Sequence, residues 1–318
     1  MIALATSVQA QFTYVTNNGT ITITGYNGTP GDMTIPARID GMPVDAIKNY
    51  AFLSRSGLGS LTISSDCRIG KYAFETCPQL GRITINGGNI SIESAAFISC
   101  RSLTNVTILN GAVDIGLAPF SMCAELSGVT ISNCVANIGD HAFEDSYKLN
   151  CLALSEGVVH VGDFAFAACQ SLTGAAIPNS VTNLGRSAFD SSGLHTVTVP
   201  AGLVSIGLYA FRYCPDLTII TVDAQNPFYS DTNGVLFDNA QTTLIQYPAA
   251  RFGVHNNQFG FTISRASGLT NVIEACTCLS NPDWQPIVTN SIGTDGTAQF
   301  SDPQWTNYPA RSYRVSWP

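Results

Sequence analysis

The stretch 206-IGLYAFRYCPDLTIITV-222 reads in two ways: as a short helix holding Cys214 followed by a strand, or as one beat of a longer rhythm. Its counterparts along the chain decide. Phe211 recurs as Phe52, Phe74, Phe97, Phe120, Phe143, Phe166 and Phe189, at spacings of 22 or 23 residues. Seven of the eight follow Ala, and Phe120 follows Pro119. Five residues before each stands Ile47, Ile69, Ile92, Ile115, Ile138, Val161, Leu184 or Ile206, with Gly next in six of the eight. Five or six residues after each comes Leu58, Leu80, Leu103, Leu126, Leu149, Leu172, Leu194 or Leu217. A fixed period of this length marks a repeat architecture and outranks any local reading of helix or strand.

Three residues past each leucine begins a short alternating element, such as Val106-Thr107-Ile108 or Val197-Thr198-Val199. Alternation of period two points the first and third residues inward and the middle one out. One such unit cannot bury its apolar side alone, but copies stacked on one another share a continuous core. The fold class expected is therefore mainly β, a solenoid of about eight coils of 22–23 residues. In the opening stretch Ile206, Phe211, Leu217, Ile220 and Val222 are expected to face the core, leaving Thr221 as the outward candidate.

The residues 177-IPNSVTNLGRSAFDSSGLHTVTVP-200 closely resemble the leucine-rich repeat of BspA-like bacterial surface proteins, and the resemblance runs from about 33 to 250. It implies a leucine-rich-repeat solenoid over 33–255, with a hairpin-like insertion near 226–250 carried by 234-GVLFDNAQTTLIQYPAAR-251. It also implies adhesion to a protein or glycan on an extracellular surface. The first coil departs from the pattern at Arg55 and Ser56, where Cys would stand, as a capping coil does.

Composition bounds the function. The 318 residues are 45% hydrophobic and 11% charged, with net charge −8. Without a basic run, nucleic acid and anionic membrane surfaces are excluded as main partners. No run approaches the roughly 18 apolar residues of a spanning helix, so membrane insertion is not expected. Residues 1–10 end in Val8-Gln9-Ala10 ahead of Gln11, like the remnant of a secretory signal peptide, or else are an ordinary terminus. The first reading makes the protein secreted or cell-surface. Residues 11–32 alternate and suit an N-terminal capping hairpin.

Of the ten cysteines, Cys77, Cys100, Cys123, Cys169 and Cys214 stand three residues after the repeat Phe. Arg55, Ser146 and Ser192 take that slot in the other coils, so it reads as a small buried position rather than a reactive one. Cys67, Cys134 and Cys151 share no repeat position, and Cys276 and Cys278 form a C-x-C in which bridging stays open. His141, His160, His195 and His255 fall in unlike places, and no catalytic or metal-binding motif occurs. Asp140 and Asp163 follow repeat glycines and read as turn residues. No catalytic residue, metal or cofactor is expected, and the chain is read as non-enzymatic and monomeric.

Function then lies in surface. The outward strand residues Thr62, Thr84, Thr107, Thr130, Thr198 and Thr221, interrupted by Ala153 and Ala176, form the candidate binding face. Threonine also suits an exposed strand for structural reasons alone. Past 256 the composition shifts: Trp284, Trp305 and Trp317 join Phe300, Tyr308 and Tyr313 between turn residues. Residues 256–318 are expected to form a small antiparallel β-sandwich, resembling a C-terminal module of exported bacterial proteins. Carbohydrate or cell-envelope binding through it is the alternative function, although aromatics in a domain this small also serve as core.

Overall fold

The computed structural model describes residues 11–232, 234–240, 244–246, 259–264, 270–276, 285–291, 297–302 and 312–316. Among them are 26 strands and no α-helix. The chain forms two compact units, one comprising residues up to 194 with 202–214, the other 195–201 with 215–318.

In the first unit each coil contributes two short strands and a turn. Arg82–Asn86 and Asn89–Ile92 show the pattern, with Gly87 and Gly88 at positive φ between them. Equivalent strands pair in parallel and in register, so that Leu61 sits beside Ile83, Ile83 beside Val106 and Val106 beside Val129. The second ladder runs through Cys67–Ile69, Asn89–Ile92 and the end of Asn105–Ile115, aligning Ile69, Ile92 and Ile115. In Asn105–Ile115 and Gly128–Ile138 both strands of the coil merge into one strand of 11 residues.

The alternation works as its period requires. Val106, Ile108, Val129 and Ile131 are buried, while the threonines between them are half-exposed. Between the ladders and the turns the repeat phenylalanines stack ring on ring from Phe52 to Phe211, with centroids 4.7–5.9 Å apart and planes within 15° of parallel. All eight are at most 2% exposed. In the opening stretch Phe211, Leu217 and Ile220 are buried as the pattern demands, but Ile206 and Val222 are half-buried.

At the N-terminal end Phe12–Asn17 and Thr20–Tyr26 form an antiparallel hairpin. Its second strand continues the second ladder by pairing in parallel with Met42–Ile47, and Gly31–Ile35 continues the first by pairing with Leu58–Ile63. A further coil lacking Phe thus precedes the eight, and Thr34 is its outward residue, opposite Thr62. Arg55 closes this end: its guanidinium donates to the carbonyls of Tyr26 (2.7 Å) and Gly28 (3.4 Å) and lies over the Tyr26 ring.

In the second unit Thr196–Val199 and Ile219–Val222 pair in parallel. Tyr229–Thr232, Val235–Asp238 and Leu244–Gln246 then form an antiparallel sheet, a hairpin with a third strand in the region of the insertion. Phe259–Ser264 pairs antiparallel with Thr297–Asp302, and Thr270–Cys276 is flanked by Gln285–Ser291 and Ser312–Ser316. Ile273, Ala275 and Phe300 are buried there. Residues 1–10, for which a signal-peptide remnant is expected, and His255, Cys278, Trp284, Trp305, Tyr308 and Trp317 lie outside the described residues.

Candidate interaction site

The threonine face is a register of main-chain partners. Thr34, Thr62, Thr84, Thr107 and Thr130 are aligned across successive strands of the first unit, and the row ends where Ala153 faces Thr130. In the second unit Thr198 and Thr221 are partners, with their hydroxyls 3.1 Å apart. Thr34 belongs to the row although the Phe rhythm alone does not reach it. The row is chemically flat, since β-branched side chains at strand spacing pack on one another and leave a hydroxyl and a methyl on each rung.

Beneath the turns runs a column of thiols. Cys77, Cys100, Cys123, Cys169 and Cys214 donate from Sγ to the carbonyls of Phe52, Phe74, Phe97, Phe143 and Phe189 on the preceding coils, at 3.1–3.4 Å. Burial pushes the Cys123 thiol up to about 12 and raises those of Cys169 and Cys214. Cys67, buried in the second ladder, is also pushed to about 12 by desolvation and then by Asp45. Cys77 and Cys100 are neighbours in the column, and the contact between them lowers Cys77 and raises Cys100. Cys123, Cys169 and Cys214, held protonated, are poor nucleophiles and serve as donors to the carbonyls of the preceding coil. Ser192 substitutes by bonding Cys214 Sγ at 3.2 Å, whereas the buried Ser146 hydroxyl has no partner among the described residues.

The turn edge has its own regularity. The residues two before and two after every repeat Phe, from Tyr50 and Ser54 to Tyr209 and Tyr213, have φ between 51° and 65°. This left-handed region is uncommon for residues other than glycine, and here it recurs sixteen times. It turns alternate amides along the stack. Tyr50 N–H donates to the Lys71 carbonyl, Tyr72 to Ser94, Ala95 to Leu117, Ala118 to Asp140, His141 to Asp163, Phe164 to Arg186 and Ser187 to Leu208. Parallel columns start at Phe52 and Ser54 and end at Ala210 and Arg212, giving three columns of seven bonds at 2.7–3.2 Å. Side chains reinforce the edge: Asp140 Oδ1 accepts from Asp163 N–H and Asp163 Oδ1 from Arg186 N–H, which is what these turn aspartates do.

A family model described as BspA type Leucine rich repeat region matches residues 45–173, 90–218 and 137–259. The chain belongs to the BspA-type leucine-rich repeat family. No curated protein matches the chain. Among solved structures, a leucine rich cell surface protein of Faecalibacterium prausnitzii is similar at 27% identity and TM-score 0.52, covering 75% of this chain and 60% of that one. A leucine-rich repeat protein of T. pallidum matches at 28% identity and TM-score 0.48, covering 57% and 86%. One from Bacteroides ovatus matches at 19% and 0.41, covering 67% and 70%.

In these BspA-type coils the chemically varied side chains sit on the turn edge, where the sequence reading placed none of its candidates. Tyr50 stacks on Tyr72 at 5.3 Å, and His141 on Phe164 at 4.9 Å. Arg186 lies over Phe164, and Arg212 lies over both Tyr209 and Tyr213. Tyr50, Leu117, Met122, Leu208 and Tyr213 are exposed. The signal was available in the aromatic letter two places before Phe52, Phe74, Phe166 and Phe211. Its meaning comes only from the left-handed backbone that lifts these positions away from the core.

Proposed function

We propose that this chain acts outside the cytoplasm, as a secreted or surface-associated, non-enzymatic repeat protein that holds a protein or glycan partner in adhesion. The observation that carries the binding role is the row Thr34, Thr62, Thr84, Thr107 and Thr130, unbroken over five parallel strands of a rigid stack. Such a row spans a partner without paying for ordering on contact. The family match supports extracellular work, as does the F. prausnitzii relative, itself described as a cell surface protein.

The test replaces Thr62, Thr84, Thr107 and Thr130 together with Lys and measures retention on immobilised extracellular-matrix proteins, a glycan array and intact cells. A loss of at least tenfold, with a Thr→Ser version of the same set retaining most binding, supports the reading. Equal binding by the Lys variant removes the row from the account.

A further inference from the structure

The thiol column is not uniform along its length. Cys77, Cys100 and Cys123 fill one slot in three successive coils, whereas Cys169 has Ser146 and Ser192 on either side and Cys214 has Ser192 before it. Only the first run therefore sets thiol next to thiol. Its head differs as well: one coil before Cys77 the slot holds Arg55, half-buried. That guanidinium is fixed by the carbonyls of Tyr26 and Gly28 and by the Tyr26 ring, and it forms no ion pair among the described residues. Positive charge of this kind beside a sulfur favours the thiolate, which is the reactive form.

The run is also spaced for a reaction between two thiols. In-register residues of successive coils lie at the strand spacing of about 4.8 Å, inside the roughly 4.4–6.8 Å between Cα atoms that a disulfide spans. The coils of Cys77 and Cys100 are held together by Phe74 N–H donating to the Ala96 carbonyl (2.7 Å) and Thr76 N–H to the Ile98 carbonyl (2.9 Å). Each thiol leans one coil back, so Cys100 Sγ, 3.1 Å from the Phe74 carbonyl, reaches toward the coil that carries Cys77. The contact with Cys100 lowers the Cys77 thiol from its ordinary value, burial opposes this, and the backbone and charge of Arg55 add to it. Cys100 is raised by that same contact and by burial. One sulfur is thus disposed to lose its proton and its neighbour to keep one. Cys123, three coils on from Arg55, lacks that help and is pushed to about 12.

We propose that Cys77 and Cys100 are a peroxide-reactive pair: Cys77, beside the Arg55 cation, attacks hydrogen peroxide, and Cys100 then closes the disulfide. The Cys77 sulfur takes one peroxide oxygen, forming an S–O bond as the O–O bond breaks, and the leaving hydroxide combines with the proton that Cys77 gave up. Cys100 next attacks the sulfenic sulfur. The S–S bond forms, the S–O bond breaks, and the departing hydroxide leaves with the Cys100 proton as water. The two thiols lose two electrons and the peroxide is reduced to two waters. Both sulfurs are buried, so local opening of the stack admits an oxidant little larger than water and turns away a bulky disulfide. The reaction needs neither the threonine row nor its partner.

The experiment treats the whole folded chain with hydrogen peroxide at neutral pH, blocks the remaining thiols with iodoacetamide after unfolding, and maps the peptides by mass spectrometry. A peptide cross-linked through Cys77 and Cys100 is expected, while Cys169 and Cys214 stay open to alkylation. Serine already fills this slot in two coils, so serine variants keep the fold. In Cys100→Ser, dimedone should trap a sulfenic acid at Cys77 and none at Cys123. In Cys77→Ser, no disulfide should form between Cys100 and Cys123. Arg55→Met should slow the cross-link at least fivefold, and glutathione disulfide should act at least tenfold more slowly than peroxide. An unreacted Cys77, or oxidation spread equally over the five thiols of the column, overturns the proposal. So does a Cys100–Cys123 disulfide in Cys77→Ser, an undiminished rate in Arg55→Met, or equal reaction with glutathione disulfide.

Discussion

The threonine row and the turn edge are built by the same coils and are regular in opposite ways. On the row the side chain repeats: Thr34, Thr62, Thr84, Thr107 and Thr130 present one chemistry five times. On the edge the backbone repeats, and the side chains at the left-handed positions run from Tyr and Phe through His, Met and Asp to Ser and Ala. A main chain fixed by its own hydrogen bonds tolerates almost any side chain, so the edge can vary without loss of fold. The row has less latitude, because each residue packs on its cross-strand neighbours.

Breaking what both faces share has the largest effect. Phe120→Ala removes a ring stacked between Phe97 and Phe143 and leaves a cavity in the middle of the spine. We expect a loss of about 3–5 kcal/mol in denaturant unfolding, with the partner at the row lost as the coils separate.

Alkaline pH attacks the buried thiols, Cys123 in the column and Cys67 in the second ladder. Cys67 and Cys123 ionise near 12 in the folded chain against 9.0 ordinarily. A raised value in the folded state stabilises fully below pH 9 and is lost as pH rises from there toward 12. Stability is expected to fall across that window, by about 1 kcal/mol per thiol at pH 10, and the melting temperature with it. Cys123→Ala should flatten the fall, and an unchanged slope would contradict it.

Gly162→Ala separates the two faces. Its added Cβ would stand 2.6 Å from Asp140 N and from Gly139 C, forcing adjacent coils apart at the turn. A cost of about 1–3 kcal/mol is expected. Amide exchange should accelerate at His141 and Phe164 while the amides of 128–132 stay protected.

Ser146→Cys runs the other way. The buried hydroxyl without a partner is replaced by the group that bonds the preceding Phe carbonyl elsewhere in the column. A gain of about 1 kcal/mol is expected by thermal unfolding. Smallest of all is Thr107→Val, which keeps the β-branched shape on the row and should shift stability by less than about 0.5 kcal/mol. If it shifts more, the hydroxyls contribute to the fold itself.

The parts of this molecule that were legible in the letters are those where burial selects a side chain. The spine of Phe52 to Phe211, the leucines, the Cys slot and the row from Thr62 to Thr130 all follow from size and period, and the structure places them as that logic requires. Thr34 and its coil escaped because a terminal coil lacks the Phe that sets the count. The edge escaped for a different reason. No glycine or asparagine announces the left-handed residues, since the columns of amides hold Tyr50, Ala118 or Met122 there equally well.

Because each internal coil takes in three hydrogen bonds and passes three on, any coil can be duplicated or deleted without leaving an unmatched group inside the stack. Length is thus a heritable variable that changes in steps of one coil, about 4.8 Å each. The chemistry of the two ends is untouched by such a step. A lineage carrying this repeat can therefore adjust how far its terminal surfaces stand apart by slippage in its gene, with no new contact to invent.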